Sequence, residues 1–145
     1  MNEIYHTSRR VRFGECDHAG IVFYPRYGDM SHGVLEDWFR EGLGIDLPTS
    51  IERFDAVYPM INLQMEYLRP TRYNEVLDFA LQVQHLGSSS LAVSIIARCG
   101  DEERVRMKLK MVNVNMQTFK PEPIPQAMRV GFERYLATPA QAATA

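Results

Sequence analysis

Asp17 is the residue whose type and setting point most directly to chemistry. It lies in a polar turn, Gly14-Glu15-Cys16-Asp17-His18-Ala19-Gly20, followed by the apolar approach Ile21-Val22-Phe23-Tyr24 and then Pro25. Proline suits the first position of a helix, where its missing N–H costs nothing, so a helix is predicted to open at Pro25. The Tyr24 amide is then left without a partner at the positive end of a helix dipole. A lone carboxylate there adds little to a core. It is well placed to act on a carbonyl carbon whose oxygen an amide polarises. Asp in turns also commonly binds its own backbone, and that structural reading stands beside the chemical one.

Other chemistry-bearing residues have plainer explanations. Cys16 and His18 flank Asp17, but a nucleophile pair needs a mutual hydrogen bond and a third group to orient it. A structural cysteine and a solvated turn histidine are expected instead. Asp29, His32 and Glu36 fall at i, i+3 and i+7, a spacing that can hold a metal. Three polar residues on an exposed helix face explain them equally well, and no metal or cofactor is expected. His32 still stands close enough to Tyr24 to border a substrate pocket. Tyr58 and Met60, just before a clear strand, are further candidates for its lining. Phe23 and Tyr27 can serve core and pocket together.

The elements that position these residues follow from periodicity. Residues 5–13 alternate weakly, consistent with a half-buried strand. Residues 25–42 read as a helix with Tyr27, Met30, Ser31, Val34, Leu35 and Trp38 on one side, stopped by Gly42 and Gly44. Residues 48–56 give no clear period and are expected to form a loop with at most one helical turn. Ile61, Leu63, Met65 and Tyr67 alternate as a strand that Pro70 ends. Leu77, Phe79, Leu81 and Val83 make the next strand, residues 87–90 turn, and Leu91, Val93, Ile95 and Ala97 return. In the last strand Val105, Met107, Leu109 and Met111 hold one phase and Val112, Val114 and Met116 the other, which predicts a β-bulge between Met111 and Val112. Residues 125–136 fit a short helix burying Met128, Phe132, Tyr135 and Leu136.

These elements predict an α+β fold, an antiparallel sheet packed on one long helix. Such a sheet leaves an edge and apolar surface uncovered, and edge-to-edge dimerisation is the simple remedy. The 145 residues give room for one domain, expected over 1–137, with a flexible tail over 138–145. A net charge of −2 argues against a nucleic-acid partner. No run approaches membrane-spanning length, and the N-terminus lacks the pattern of a secretory signal, so no membrane association and a cytoplasmic location are expected. Cys16 and Cys99 have no metal spacing and are expected to remain free thiols.

The segment Gly14-Glu15-Cys16-Asp17-His18-Ala19-Gly20-Ile21-Val22-Phe23-Tyr24-Pro25-Arg26-Tyr27 resembles the active-site segment of hotdog-fold acyl-CoA thioesterases. The branch it is most similar to is typified by 4-hydroxybenzoyl-CoA thioesterase, with an Asp, then Gly-hydrophobic-Val-aromatic-Tyr, then a second Tyr. The resemblance extends over about residues 5–136. It implies a five-stranded antiparallel sheet wrapped around one long helix, with Asp17 as nucleophile or general base and the Tyr24 amide as oxyanion donor. Gly20 and Tyr27 would then border the substrate. The implied substrate is an aromatic or short acyl-CoA, and the implied assembly a homodimer or homotetramer with active sites between subunits. A thioester suits such spare machinery, because its sulfur leaves as a thiolate whose conjugate acid has a pKa of about 8.5.

One departure concerns the coenzyme. That branch carries a basic cluster at the turn between the third and fourth strands, where this chain has Ser88, Ser89 and Ser90. Hydroxyls and turn amides can still hold phosphate or pantetheine. Arg69, Arg72, Lys108 and Lys110 are alternative cations, each also explained as a solvated residue. Two other functions share the fold. A hydratase would carry an Asp-x-Asn-Pro-x-His type segment, absent here. A non-catalytic acyl-binding module would tolerate loss of Asp17.

Overall fold

A computed structural model describes residues 2–139; residues 140–145 of the expected tail lie outside the described residues. Five strands form one antiparallel sheet: β1 (Tyr5–Arg10), β2 (Met60–Tyr67), β3 (Val76–Leu86), β4 (Ser90–Cys99) and β5 (Glu102–Val112), in the order β1-β3-β4-β5-β2. Helix α1 (Arg26–Asp37) lies against it and continues as a π-helical stretch, Trp38–Leu43. Helices α2 (Leu47–Phe54) and α3 (Gln126–Arg134) complete the described elements. This is the hotdog arrangement.

The core forms where the two periodicities meet. Alternate residues of the three central strands, including Leu77, Phe79, Leu81, Ile95, Met107 and Leu109, are all buried. From the helix, Tyr27, Met30, Ser31, Val34 and Leu35 turn toward them, as the 3.6-residue spacing requires. At the far end of α1, Trp38 and Phe39 pack on Phe132, with ring centroids 5.6 and 5.9 Å away. Gly44, at φ +73°, supplies the left-handed residue that ends the helix.

Three local expectations need correction. The first strand stops at Arg10 rather than residue 13, because Phe13–Glu15 coils into a 3₁₀ turn. Glu15 fixes that turn by accepting from the Arg12 N–H at 2.8 Å and pairing with Arg9 at 2.7 Å. Residues 48–56 are largely helical, since the Asp46 side chain caps α2 by accepting from the Thr49 N–H at 2.9 Å. No bulge falls between Met111 and Val112: β5 keeps register with β4 from Ala97↔Val105 to Ser90↔Val112 and then ends, and its own extra residue is Arg104, between Ala97↔Val105 and Arg98↔Glu103. Near the expected place the shift lies across from β5 in β2, between Met60↔Met111 and Asn62↔Lys110, with Ile61 as the extra residue. Strand β2 forms as expected, and its Ile61, Leu63 and Tyr67 are exposed, the uncovered apolar surface expected of a sheet edge.

The register defines two ends of the sheet. Where β1 finishes and β3 begins, Arg10 opposite Val76, lie the loops over residues 11–25 and 68–75. The other end carries residues 57–59, 87–89 and 113–125.

Candidate active site

Asp17 sits at the tip of a small hairpin. Cys16 and Val22 bridge, the Asp17 N–H donates to the Ile21 carbonyl at 2.9 Å, and the Gly20 N–H donates to the Asp17 carbonyl at 3.0 Å. Gly20 closes the turn at φ +79°, where a side chain would be strained. The hairpin is tied down on both sides. Phe23 donates to the Glu15 carbonyl at 2.8 Å, and Val22 donates to the Thr71 carbonyl at 2.8 Å. The Asp17 carboxylate takes one hydrogen bond, Oδ1 accepting from the Ala19 N–H at 2.8 Å. The turn-capping role is therefore present. It occupies one oxygen, and Oδ2 has no partner among the described residues.

The helix opens on tight turns, with the Arg26 N–H donating to the Phe23 carbonyl and the Tyr27 N–H to the Tyr24 carbonyl. Pro25 is the residue before the first helical one, a position earlier than expected, and its backbone is already helical at φ −66°, ψ −20°. Among the described residues the Tyr24 N–H donates to no group of the chain.

Two concavities flank the hairpin. One, of about 440 Å³, is lined by Gly14, Cys16, Asp17, His18, Phe23 and Arg26, among others. The second, about 400 Å³, is aromatic, with Tyr24, Tyr27 and Tyr67 beside Arg69 and Thr71. Phe23 links the two, its ring meeting that of Tyr24 edge-on at 5.5 Å. Tyr67 lies 5.7 Å from the Tyr27 ring, and its hydroxyl is 3.5 Å from the Tyr24 carbonyl oxygen. Tyr27 is buried, and burial pushes its hydroxyl pKa up, which keeps it a neutral hydrogen-bonding group. Tyr67 and Thr71 were not anticipated. Tyr67 ends the β2 alternation and Thr71 follows Pro70, so neither carried a signal of nearness to Tyr24.

An ion pair between buried Arg104 and half-buried Glu75 holds the second wall. Arg104 donates from Nη1 and Nη2 to Glu75 Oε1 and Oε2, both at 3.0 Å, and from Nη1 to the Pro70 carbonyl at 2.9 Å. Glu102 Oε1 lies 2.7 Å from Arg104 Nε as an ion-pair contact without hydrogen-bond alignment. Side-chain bonds from Arg104, helped by the Arg72 N–H, hold the Glu75 pKa down to about 2.

The remaining candidates are not gathered here within one protomer. His32 is solvent-exposed, with Nε2 3.0 Å from Glu36 Oε1, while Asp29 faces Arg26 at 3.8 Å. Among the described residues no three His, Cys, Asp or Glu side chains converge on a metal position. Tyr58 packs between Phe39 and Phe132 at the far end of α1, and Met60 pairs with Met111 at the far end of the sheet. Ser88, Ser89 and Ser90 lie at that far end too. The eleven residues of β3 separate them from the Asp17 end by roughly 33 Å. Arg129 fixes this turn by donating to the Gly87 and Ser88 carbonyls. Beside Asp17, burial raises the Cys16 thiol pKa, which opposes a thiolate there.

The match to known proteins spans most of this architecture. Residues 11–132 match the thioesterase-like superfamily. The chain belongs to that superfamily. A 1,4-dihydroxy-2-naphthoyl-CoA hydrolase of Acaryochloris marina is 26% identical over 131 residues, covering 88% of this chain and 95% of the relative. A 4-hydroxybenzoyl-CoA thioesterase of Pseudomonas sp. is 30% identical over 70 residues, 48% of this chain and 50% of that one. Among solved structures, a 1,4-dihydroxy-2-naphthoyl-CoA thioesterase from Synechocystis superposes with a TM-score of 0.82 at 17% identity, covering 90% of this chain and 96% of that one. At that identity the likeness speaks for the fold. Among the described residues no helix is long and apolar enough to cross a membrane.

Proposed function

We propose that this thioesterase hydrolyses aromatic acyl-coenzyme A thioesters, with Asp17 as nucleophile and the Tyr24 N–H as oxyanion donor. The observation that carries the reading is a pair of unused groups, Asp17 Oδ2 at the tip of the pinned hairpin and the Tyr24 amide just beyond its end. The aromatic concavity of Tyr24, Tyr27 and Tyr67 suits a flat acyl group, and relatives named for naphthoyl and benzoyl esters support that choice. Attack by Oδ2 forms a C–O bond, pushes charge onto the carbonyl oxygen, and expels the coenzyme A thiolate as the C–S bond breaks. Water then cleaves the resulting anhydride and restores the carboxylate. No cofactor takes part.

The site is completed by a second copy. Edge strand β2 offers Ile61, Leu63 and Tyr67 to solvent, and its outer hydrogen-bonding edge has no partner among the described residues. Joining two β2 edges antiparallel places each protomer's far end, with Tyr58, Met60 and residues 88–90, at the same end as the other's Asp17. That arrangement supports a homodimer as the working unit, and pairing of dimers gives the homotetramer. Two unpaired cysteines suit a reducing cytoplasm.

The test is release of free thiol from a panel of benzoyl-, naphthoyl- and straight-chain acyl-CoAs. The proposal expects kcat/KM to be highest for an aromatic member. Higher values for straight chains would overturn the substrate assignment, and no release from any would favour an acyl-binding module.

A further inference from the structure

Two large aromatic side chains stand in water beside the Asp17 hairpin. Phe13 is 77% exposed and Tyr73 54%, and they meet edge to face, with centroids 5.8 Å apart. Neither is on a loose segment. Phe13 begins the 3₁₀ turn that Glu15 locks, and Tyr73 lies in the loop that Glu75 and Arg104 hold. Asn74, at φ +74°, fixes the next residue by donating its N–H to the Val11 carbonyl at 3.0 Å. A rigid, exposed aromatic pair contributes little to this core.

The charge around the pair is positive and unspent. Among the described residues Arg12, Arg69 and Arg72 have no carboxylate partner, and Arg10 reaches only the carbonyl and side-chain oxygens of Asn74. The nearby carboxylates Glu15 and Glu75 are already taken by Arg9 and Arg104. The patch is also continuous with the proposed active site. Phe13 adjoins Gly14, which lines the Asp17 concavity, and nothing lies within 4 Å of where a Gly14 Cβ would stand. Asp17 is four positions after Phe13, so their α-carbons lie within about 14 Å. The pantetheine arm of coenzyme A spans such a gap.

We propose that Phe13 and Tyr73, flanked by Arg12 and Arg72, form the platform for the adenosine 3′-phosphate end of coenzyme A. The adenine stacks on the rings and the phosphates take the guanidinium groups. This subsite rests on the acyl-CoA reading above. It differs from residues 88–90, which lie at the opposite end of the sheet within one protomer and offer hydroxyls rather than cations.

The experiment compares a hydrolysed acyl-CoA with the matching acyl-pantetheine, which lacks the nucleotide. Calorimetry of adenosine 3′,5′-bisphosphate reads binding directly. The proteins are wild type, Phe13→Ala/Tyr73→Ala and Arg12→Gln/Arg72→Gln, and the exposed positions leave the fold intact. Each double variant is expected to lower kcat/KM for acyl-CoA about fivefold or more, weaken the bisphosphate to match, and leave acyl-pantetheine unchanged. Equal effects on both substrates, or none on either, would overturn the platform. If acyl-CoA is not hydrolysed but the variants weaken bisphosphate binding, the hydrolase reading fails and the platform stands. If acyl-CoA is hydrolysed and bisphosphate binding is the same in all three proteins, the platform fails alone.

Discussion

Replacing Glu75 by Gln removes the charge that fixes the wall opposite the Asp17 hairpin. Arg104, itself buried, would face one neutral amide oxygen in place of two carboxylate oxygens at 3.0 Å, with Pro70 and the more exposed Glu102 as its other partners. The size of the effect follows from the Glu75 pKa, which falls from 4.5 to about 2 in the folded protein. At full strength that difference corresponds to roughly 3 kcal/mol. The Glu75 side chain is 31% exposed, so solvent screening reduces it to about 2 kcal/mol. Because folding depresses this pKa, the stabilisation is complete above pH 4.5 and disappears as pH falls toward 2. Urea denaturation of wild type and Glu75→Gln at pH 7, 5 and 3, at one protein concentration, measures it. The expected gap is about 2 kcal/mol at pH 7 and 5. It should narrow clearly at pH 3. A gap of the same size at pH 3 and pH 7 would refute the reasoning, as would no gap at pH 7.

Three further outcomes are expected. Gly42→Ala would put its methyl group 2.6 Å from Trp38 Cδ1 and 2.9 Å from the Tyr135 hydroxyl in a packed aromatic cluster. A cost of about 1–3 kcal/mol should lower Tm by several degrees in calorimetry, and an unchanged Tm would contradict it. Cys16→Ser should keep wild-type thiol release across pH 6–9, because the native thiol stays protonated; a collapse of kcat would make Cys16 the nucleophile. Leu63→Lys places a charge on the exposed face of β2 and should give monomers in light scattering, with an intact circular dichroism spectrum and lost turnover. An unchanged oligomer would remove β2 as the joining edge.

Local order was legible wherever one period ran long enough. The stripe Tyr27, Met30, Val34, Leu35 and Trp38 on α1 and the alternation in β3, β4 and β5 both end in the core. The eight-residue helix α2 was too short for its period to show, although Asp46, Pro48 and Thr49 spell its cap. In β2 the alternation announced a strand with one dry face. Whether anything covers that face depends on strand order, which no local pattern contains. The same limit applies to the candidate site. Asp17, Gly20 and Tyr24 are close in sequence, so a turn running into a helix start could be anticipated. Tyr67 and Thr71 arrive through the antiparallel return of β2 and the pairing of Ile21 with Arg72. Tyr58, Met60 and the serines of residues 88–90 were grouped with Asp17 by chain order or resemblance, and the sheet's length separates them within one protomer.

The central claim is that one carboxylate oxygen of Asp17 does the chemistry while the other holds the turn. Asp17→Asn keeps an acceptor for the Ala19 N–H and removes the negative charge, so the hairpin should survive and the reaction should not. Single-turnover thiol release from an aromatic acyl-CoA, measured for wild type and Asp17→Asn at matched melting temperature, tests this most directly. A fall in rate of at least about a thousandfold is predicted, on the scale of losing a nucleophile. Release within about tenfold of wild type, on the same scale, would contradict it.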